Sequence, residues 1–153
     1  MSFDASLAAA GLTLPPVPQA AGVYVPAVRT GSYVYTAGQL PLRDGRLLAE
    51  GLVGSTVTLE TARECAEQAA LNALAAAAAV LDSLDRVTRV VKVVGFVASD
   101  PSFTGQASVV NGASELLGRL LGERGRHARS AVGVAVLPLG APVEIELVLE
   151  IGS

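Results

Sequence analysis

The stretch VTRVVKVVGFVA, residues 87–98, decides the fold. Successive side chains of an extended chain point to opposite faces, and here valine or phenylalanine occupies both alternating sets of positions. A strand that is apolar on both faces is typical of the middle of a sheet. The sequence therefore predicts a central strand over Val87–Ala98.

One helix is predicted before this strand in the sequence and another after it. Before it, apolar residues recur at helical spacing from about Thr58 to Leu84, and Thr61 with Glu64 fits a capping box. Most of these apolar residues are alanine, which lets the helix lie close to the surface that it covers. After the strand, Ser99-Asp100-Pro101 ends the extended chain, and a second helix runs to about Leu121, where glycine follows.

Two further strands precede the first helix. Val23–Arg29 and Tyr33–Ala37 are β-branched and aromatic runs joined at Thr30-Gly31-Ser32, which is typical of a hairpin. A tight turn at Arg43-Asp44-Gly45 is followed by a weak strand near Leu47.

Residues 1–22 are predicted to form an arm appended to a single domain over residues 23–153. Asp4 can cap a short helix that runs through Ala10. Three prolines within residues 15–18 then keep the chain extended. No residue of the arm is predicted to take part in chemistry.

The chain ends in two strands, near Arg129–Leu137 and Pro142–Ile151, which a turn at Pro138-Leu139-Gly140 is predicted to join. The order of elements is then ββ(β)αβαββ. This order is typical of an α+β fold with a mixed sheet and two helices packed on one face. The other face of this apolar sheet needs a cover, which predicts an oligomer.

Composition supports self-association. Hydrophobic residues make up 51% of the chain and charged residues 16%, with a mean hydropathy of +0.50, yet no run reaches the ~18 apolar residues of a membrane span. The net charge of −3 argues against nonspecific nucleic-acid binding, which needs Lys and Arg to neutralise phosphates. A lone cysteine forms no internal disulfide, and the N-terminus shows no basic segment of a signal peptide, so a cytoplasmic protein is predicted.

The residues present exclude several kinds of site. One histidine, His127, and one cysteine, Cys65, provide no zinc cluster and no His–His dyad. No glycine-rich phosphate loop follows a strand. Cys65 lies on the apolar stripe of the first helix and is interpreted as a buried small hydrophobe, and His127 receives no role. Arginines, carboxylates, tyrosines and backbone amides remain as candidates.

Arg129 is the most informative candidate. It stands where the chain enters the apolar strand Ser130-Ala131-Val132-Gly133-Val134, and a guanidinium that faces a dry cleft needs a planar anion as its partner. The alternative is an arginine that points into solvent or pairs locally with Glu123. Spacing alone favours this alternative.

Three glutamates, Glu144, Glu146 and Glu150, occupy one alternating set of positions in the last strand. They form a solvated strand face, or one of them positions water as a general base. A hairpin through Leu139-Gly140 would place Arg129 opposite about residue 150 rather than Glu144. If Arg129 and Glu144 serve one pocket, either the pocket lies between chains or the strands leave this register.

Three other residues are candidates, each with an ordinary structural alternative. Tyr24 begins the first strand near a sheet edge, where it either packs or borders a cleft. Gly38 follows the second strand and permits a bulge or a close approach, so that its amide or carbonyl could meet a ligand. Asn111 on the second helix is either a surface residue or a ligand contact.

Several segments together resemble the RidA family, also called the YjgF family. The N-terminal hairpin of that family resembles residues 22–27 (GVYVPA) and 34–41 (VYTAGQLP), and its first helix resembles residues 68–74 (QAALNAL). Its C-terminal signature, the most specific part, resembles Ala128-Arg129-Ser130, Leu137-Pro138 and Val143-Glu144-Ile145-Glu146. The resemblance covers residues 22–151, and the preceding arm resembles a longer subgroup.

The resemblance implies a chorismate-mutase-like fold and a homotrimer with small-molecule clefts between subunits. It also implies deamination of 2-imino acids or enamines. An imine such as 2-iminopropanoate, formed from 2-aminoacrylate, adds water and releases ammonia to give a 2-oxoacid. The implied substrate is thus a small carboxylate, and no cofactor, nucleic acid or membrane is implied.

The resemblance also assigns roles by position. The implied catalytic residues are Arg129, which would bind the substrate carboxylate, Glu144, which would orient water, and Tyr24 at the cleft. The implied substrate-binding residues are Arg129, Gly38, Ala131 and Asn111. Ala131 stands where the family often has cysteine, and it keeps the backbone amide through which a carboxylate can bind.

Two other functions remain open. One is a trimer that binds 2-oxoacids, or regulates in response to them, without turnover. The other is an endoribonuclease, since some proteins of this fold carry that name. The acidic pI of about 5.1 and the lack of a histidine pair disfavour the second.

Overall fold

A computed structural model describes residues 1–153. Its helices are α1 (Phe3–Ala9), α2 (Leu59–Ala77) and α3 (Gln106–Leu121). Its strands are β1 (Ala27–Thr30), β2 (Tyr33–Thr36), β3 (Leu42–Arg43), β4 (Arg46–Leu47), β5 (Val87–Ala98), β6 (Ala128–Val134) and β7 (Val143–Ile151). Short 3-10 turns cover Leu84–Arg86, Gly122–Gly125 and Pro138–Gly140. None of the helices is long and apolar enough to cross a membrane.

The main sheet contains five strands in the order β1-β2-β7-β5-β6. Strand β5 pairs in parallel with β6 and antiparallel with β7, and the other neighbours are antiparallel. Strands β3 and β4 form a separate small hairpin. The predicted α+β fold with a mixed sheet is therefore confirmed, and so is the central strand over Val87–Ala98.

The predicted hairpin between the last two strands is wrong. Strands β6 and β7 do not pair, because β5 lies between them. Helix α3 carries the chain from the end of β5 back to the start of β6, and this crossover places β6 parallel to β5. The chain then turns at Leu139 and Gly140, both with positive φ, and β7 takes the other edge of β5. There it also pairs with β2, so both edges of β7 have hydrogen-bonding partners.

Helices α2 and α3 pack against each other and cover one face of the sheet, as predicted. The strand residues buried on this face include Val34, Val90, Val93, Ile145, Leu147 and Leu149. Helix α1 is a third helix of the fold, and its Phe3 and Leu7 belong to the same core. Cys65 of α2 is fully buried as a small hydrophobe. Burial, followed by the nearby charge of Glu64, raises the pKa of its thiol to about 11.

The contact between α2 and α3 depends on Gly112. A Cβ added at this position would lie 2.1 Å from the backbone carbonyl oxygen of Arg63. Because a backbone atom cannot move aside alone, Gly112→Ala is expected to lower the free energy of unfolding by about 1–3 kcal/mol. Gly118→Ala is the matched control on the same helix. Apart from the backbone of its own helix and its chain neighbours, no atom lies within 4 Å of its added Cβ, so it should raise that free energy by about 0.5–1 kcal/mol. Urea unfolding of both variants measures the difference, and equal stabilities would contradict this account.

The predicted ends of the long helix need correction. Thr58 caps α2 by accepting the N–H of Thr61 on its hydroxyl, so the Thr61–Glu64 capping box does not form. The helix ends at Ala77 rather than Leu84. At its end the N–H groups of Ala79 and Val80 bond to carbonyls three residues back, which tightens the last turn.

The N-terminal elements also begin at other residues than predicted. Ser2, and not Asp4, caps α1 through its side chain. Strand β1 begins at Ala27 rather than Val23. Pro26 precedes it and has no N–H to donate, so the ladder to β2 starts after the proline.

The second face of the sheet has no helix on it. Its exposed or half-exposed apolar side chains include Val28, Tyr33, Tyr35, Val94, Phe96 and Val132. The glutamates of β7 lie on the same face, because they alternate with buried residues along the strand. We call this surface the open face. An apolar open face supports the expectation that copies of the chain associate.

Candidate functional site

Arg129 lies on the helix side of the sheet. Its register partner on β5 is Val93, which is fully buried beneath the helices. The Arg129 Nη1 donates to Oδ1 of Asn111 at 2.7 Å and to Oγ of Ser114 at 3.1 Å, and Nη2 donates to the carbonyl oxygen of Ala107 at 3.2 Å. All three acceptors belong to α3 and are neutral. The helix therefore fixes the orientation of the guanidinium without neutralising its charge.

The guanidinium keeps donors for a further partner. A guanidinium has five N–H groups, and three of those of Arg129 are used within the chain. The Nε–H and one Nη2–H have no partner. The predicted alternative, a local pair with Glu123, does not form, and Glu123 pairs with Arg126 at 3.3 Å instead. A half-buried cation with free, oriented donors and no carboxylate partner is suited to a planar anion.

Two other predicted residues lie on the same side of the sheet as Arg129. Asn111 contacts Arg129 directly, so it is more than a surface residue of α3. Ala131 follows two residues after Arg129 on β6 and pairs with Gly95 of β5, which places it on the helix side as well. We call Arg129, Asn111 and Ser114 the arginine cluster.

Glu144 lies on the open face, opposite Phe96 of β5 in the ladder. Burial is the main cause that raises the pKa of its carboxyl above the usual value, and the negative charge of Glu146 adds to it. A carboxyl with a raised pKa is a stronger base and exchanges a proton more readily near neutral pH.

Gly38 lies directly over Glu144. The backbone of the next residue, Gln39, exchanges two hydrogen bonds with Ile145, at 2.8 and 3.0 Å. This bridge brings the glycine so close that a Cβ would lie 1.9 Å from Oε1 of Glu144. Glycine is required here by the close approach, and its backbone and the carboxyl of Glu144 face the same space.

The two halves of the predicted site do not meet within one chain. Arg129 projects toward the helices and Glu144 toward the open face, and strand β5 lies between their strands. The hairpin register assumed for the sequence could not reveal this, because β6 and β7 are not neighbours. A single pocket that uses both residues requires a second copy of the chain.

Tyr24 does not begin a strand. It lies in a bend before β1, and its side chain is exposed, with the hydroxyl accepting the N–H of Ala21 at 3.3 Å. No hydrogen bond connects it to the arginine cluster or to Glu144. Within one chain the residue stands apart from both halves of the site.

Sequence reasoning missed Ser114 and His127. The Nε2 of His127 lies 2.8 Å from Oγ of Ser114, and its Nδ1 lies 2.6 Å from the carbonyl oxygen of Gly125. Ser114 could have been found from its spacing, since it follows Asn111 by three residues and thus shares its helix face. The position of His127 depends on the 3-10 turn after α3, which no sequence motif indicated.

The fold is that of a known class of proteins. The family described as "YjgF/chorismate mutase-like, putative endoribonuclease" matches residues 4–151, and the chain belongs to this family. The match includes most of the segment predicted to be an arm.

Individual relatives agree with this membership. Protein TCP17 of Trypanosoma cruzi is 43% identical over 150 residues, which cover 97% of this chain and 94% of TCP17. The crystal structure of Atu1372, a protein of unknown function from Agrobacterium tumefaciens, is 44% identical with a TM-score of 0.91, and the match covers 99% of this chain and 94% of that one. The crystal structure of RidA from an Antarctic Psychrobacter is 34% identical with a TM-score of 0.61, covering 88% and 94% of the two chains.

Proposed function

We propose that this protein hydrolyses 2-imino acids and their enamine tautomers to 2-oxoacids and ammonia. The observation that carries the proposal is Arg129, whose oriented guanidinium has free donors and no carboxylate partner in its own chain. Membership in the YjgF/chorismate mutase-like family, with a RidA protein among the similar structures, supports it.

Arg129 would bind the carboxylate that every such substrate carries. The Nε–H and the free Nη2–H would donate to its two oxygens, and the amide of Ala131 would add a third donor. Binding through the carboxylate leaves the C2 atom and its imine nitrogen free to react. Asn111 would keep the guanidinium in place while substrates exchange.

Glu144 would act on the water molecule. The substrate would react as the protonated imine, and a water that hydrogen-bonds to the Glu144 carboxylate would give it a proton as the water oxygen bonds to C2 and the C=N bond becomes single. Glu144 would then pass this proton to the amine nitrogen. As the C–N bond breaks and ammonia leaves with its electron pair, Glu144 would take the proton of the C2 hydroxyl and the C2=O bond would form; ammonia then takes up that proton and leaves as ammonium. The raised pKa of Glu144 suits these transfers. The backbone of Gly38 would border the same space.

The complete site would form between subunits of a homotrimer. Arg129 of one chain and Glu144 of another would approach each other where the open face of one sheet meets the edge strand β6 of the next subunit's sheet. Tyr24 is exposed before β1 and so is available to border such a cleft. Oligomerisation would also cover the apolar residues of the open face.

Enzyme assay and binding separate this proposal from its main alternative. The enamine 2-aminoacrylate, generated in situ from serine by a pyridoxal-phosphate enzyme, hydrolyses spontaneously, and a coupled lactate dehydrogenase assay follows the pyruvate formed. We expect the rate to rise above the spontaneous rate in proportion to added protein, and sedimentation to show a trimer. If 2-oxobutanoate binds but the rate does not rise, the protein is a 2-oxoacid-binding trimer and the proposed enzyme activity is wrong.

Gly38→Ala tests the placement of the Glu144 carboxyl. The added methyl would displace the carboxyl, which is the end of a flexible side chain, so the fold should survive. We expect kcat to fall about tenfold or more while the midpoint of thermal unfolding changes little. In a Glu144→Ala background the same change should have no further effect on kcat, because the carboxyl that it displaces is gone. Equal effects in both backgrounds would contradict the placement.

A further inference from the structure

The geometry points to His127 and Ser114 as positioning residues, which hold the guanidinium of Arg129 through a directed chain of hydrogen bonds. The chain runs from Arg129 Nη1–H to Ser114 Oγ at 3.1 Å, from the Ser114 hydroxyl to His127 Nε2 at 2.8 Å, and from His127 Nδ1–H to the Gly125 carbonyl at 2.6 Å. The inference deepens the proposed function, on which its consequence for the substrate rests.

The direction of each bond follows from the groups at the two ends. A carbonyl oxygen can only accept, so Nδ1 of His127 must carry a proton toward Gly125. At the other end the guanidinium can only donate, so Oγ of Ser114 accepts from it. The serine hydroxyl therefore has its own proton available, and the second ring nitrogen of a neutral imidazole is its acceptor. In this arrangement Nδ1 of His127 carries the proton and Nε2 accepts from the Ser114 hydroxyl.

This chain also explains why a guanidinium can be held without a carboxylate. A donated hydroxyl proton makes the serine oxygen a better acceptor for the next donor, because bonds in a chain polarise one another. Arg129 thus gains a second strong acceptor beside Asn111, and no carboxylate of its own chain pairs with it and competes with an incoming anion. The full positive charge remains for the substrate.

The same contacts distinguish His127 from an ordinary loop histidine. The ring is half-buried, and both of its nitrogens have partners in the chain. It ends the turn that α3 makes before β6, so it connects Ser114 on the helix with the start of the strand that carries Arg129. A substitution at His127 would therefore affect the position of the Arg129 guanidinium through one intervening group, the hydroxyl of Ser114.

NMR of the imidazole tests the tautomer in the wild-type protein. His127 is the only histidine, so an untagged sample labelled with 15N gives one imidazole spin system. We expect the Nδ1–H tautomer at pH 7, whereas free histidine favours Nε2–H, and we expect added 2-oxobutanoate to shift both ring nitrogens. An Nε2–H tautomer, or ring signals that do not respond to saturating 2-oxobutanoate, would overturn the inference.

Four variants test the effect on binding and turnover. Ser114→Ala and His127→Leu break the chain and should raise the Kd for 2-oxobutanoate and the KM about tenfold, with kcat changed less than twofold. His127→Gln places an amide oxygen near the position of Nε2 and should restore most of the affinity. Ser108→Ala is the control on the same helix, because its side chain forms no hydrogen bond.

The outcomes separate this inference from the proposed function. If Arg129→Ala abolishes binding and turnover while Ser114→Ala and His127→Leu leave both unchanged, the positioning role is wrong and the proposed function stands. If Arg129→Ala changes neither binding nor turnover, the proposed function is wrong, and the chain of hydrogen bonds has no consequence for a substrate.

Discussion

Arg129→Ala is expected to reduce deamination of 2-aminoacrylate to the spontaneous rate and to weaken binding of 2-oxobutanoate about 100-fold or more. Hydrogen bonds to a charged group contribute about 1.5–3 kcal/mol each, and two such donors would be lost together. Titration calorimetry measures the affinity, and the coupled assay measures turnover. No other cation is hydrogen-bonded within the arginine cluster, so nothing is in place to substitute.

Two further variants sharpen this result. Arg129→Lys keeps the charge but loses the planar fork, so we expect an affinity between those of the wild type and Arg129→Ala. Arg126→Ala is the matched control, because Arg126 is exposed and pairs only with Glu123. Its affinity for 2-oxobutanoate should stay within about twofold of the wild type. An Arg129→Ala protein that binds and turns over normally would remove the basis of the proposed function.

The fold was largely predictable because its central element has an unambiguous pattern. Val87–Ala98 is apolar at both alternating sets of positions, and it pairs on both edges. The hairpin at Gly31 was predictable as well, since the turn requires the positive φ that this glycine adopts. Local patterns of this kind depend on neighbouring residues alone.

Strand order depends on tertiary packing and could not be derived in the same way. Nothing in the turn at Pro138–Gly140 distinguishes a hairpin from a chain that passes to the far edge of β5. The same limit applies to the end of α2, where the alanine run continues past Ala77 and the chain turns so that Leu81 and Leu84 reach the core.

In the candidate site, too, the local sequence pattern predicts some features, whereas others depend on tertiary packing. Alternation along β7 already assigned Glu144 to the face opposite the buried residues, and the structure agrees. The face of the sheet on which Arg129 lies could not be derived from the sequence, because it depends on the parallel register between β6 and β5. The contacts of Arg129 with Asn111 and Ser114 depend on how α3 packs over β6, which the sequence pattern does not determine.

Glu144→Gln is expected to lower kcat by about 10²–10⁴ while binding of 2-oxobutanoate is retained. The amide can still hydrogen-bond to water but cannot accept its proton. Glu150→Gln, on the same face of the same strand, is the control and should leave kcat unchanged. In the wild type, kcat should rise with pH through the raised pKa of Glu144, and Glu144→Gln should lose this dependence. A variant with the wild-type kcat would show that another group activates the water.

Whereas kcat should fall in Glu144→Gln, the stability of this variant should be higher than that of the wild type at neutral pH. Because the pKa of Glu144 is higher in the folded chain than in the unfolded chain, the folded state holds the proton more tightly. The ionised carboxylate therefore destabilises the fold, an effect that is absent below the unfolded pKa and grows as the pH rises to the folded pKa. Glu144→Gln should thus unfold at a higher temperature than the wild type at pH 7, and the difference should shrink toward pH 4.

Mixing the two inactive variants tests where their residues meet. If one site takes Arg129 from one chain and Glu144 from another, a trimer that contains both Arg129→Ala and Glu144→Gln chains has some sites with both native residues. With random mixing in equal amounts, each of the two chains at a site supplies its native residue half of the time. About a quarter of the wild-type activity should then return after the subunits are exchanged. If the mixed trimers stay inactive, Arg129 and Glu144 do not serve one intersubunit site. The two residues, which lie on opposite faces of the sheet in a single chain, would then have separate functions.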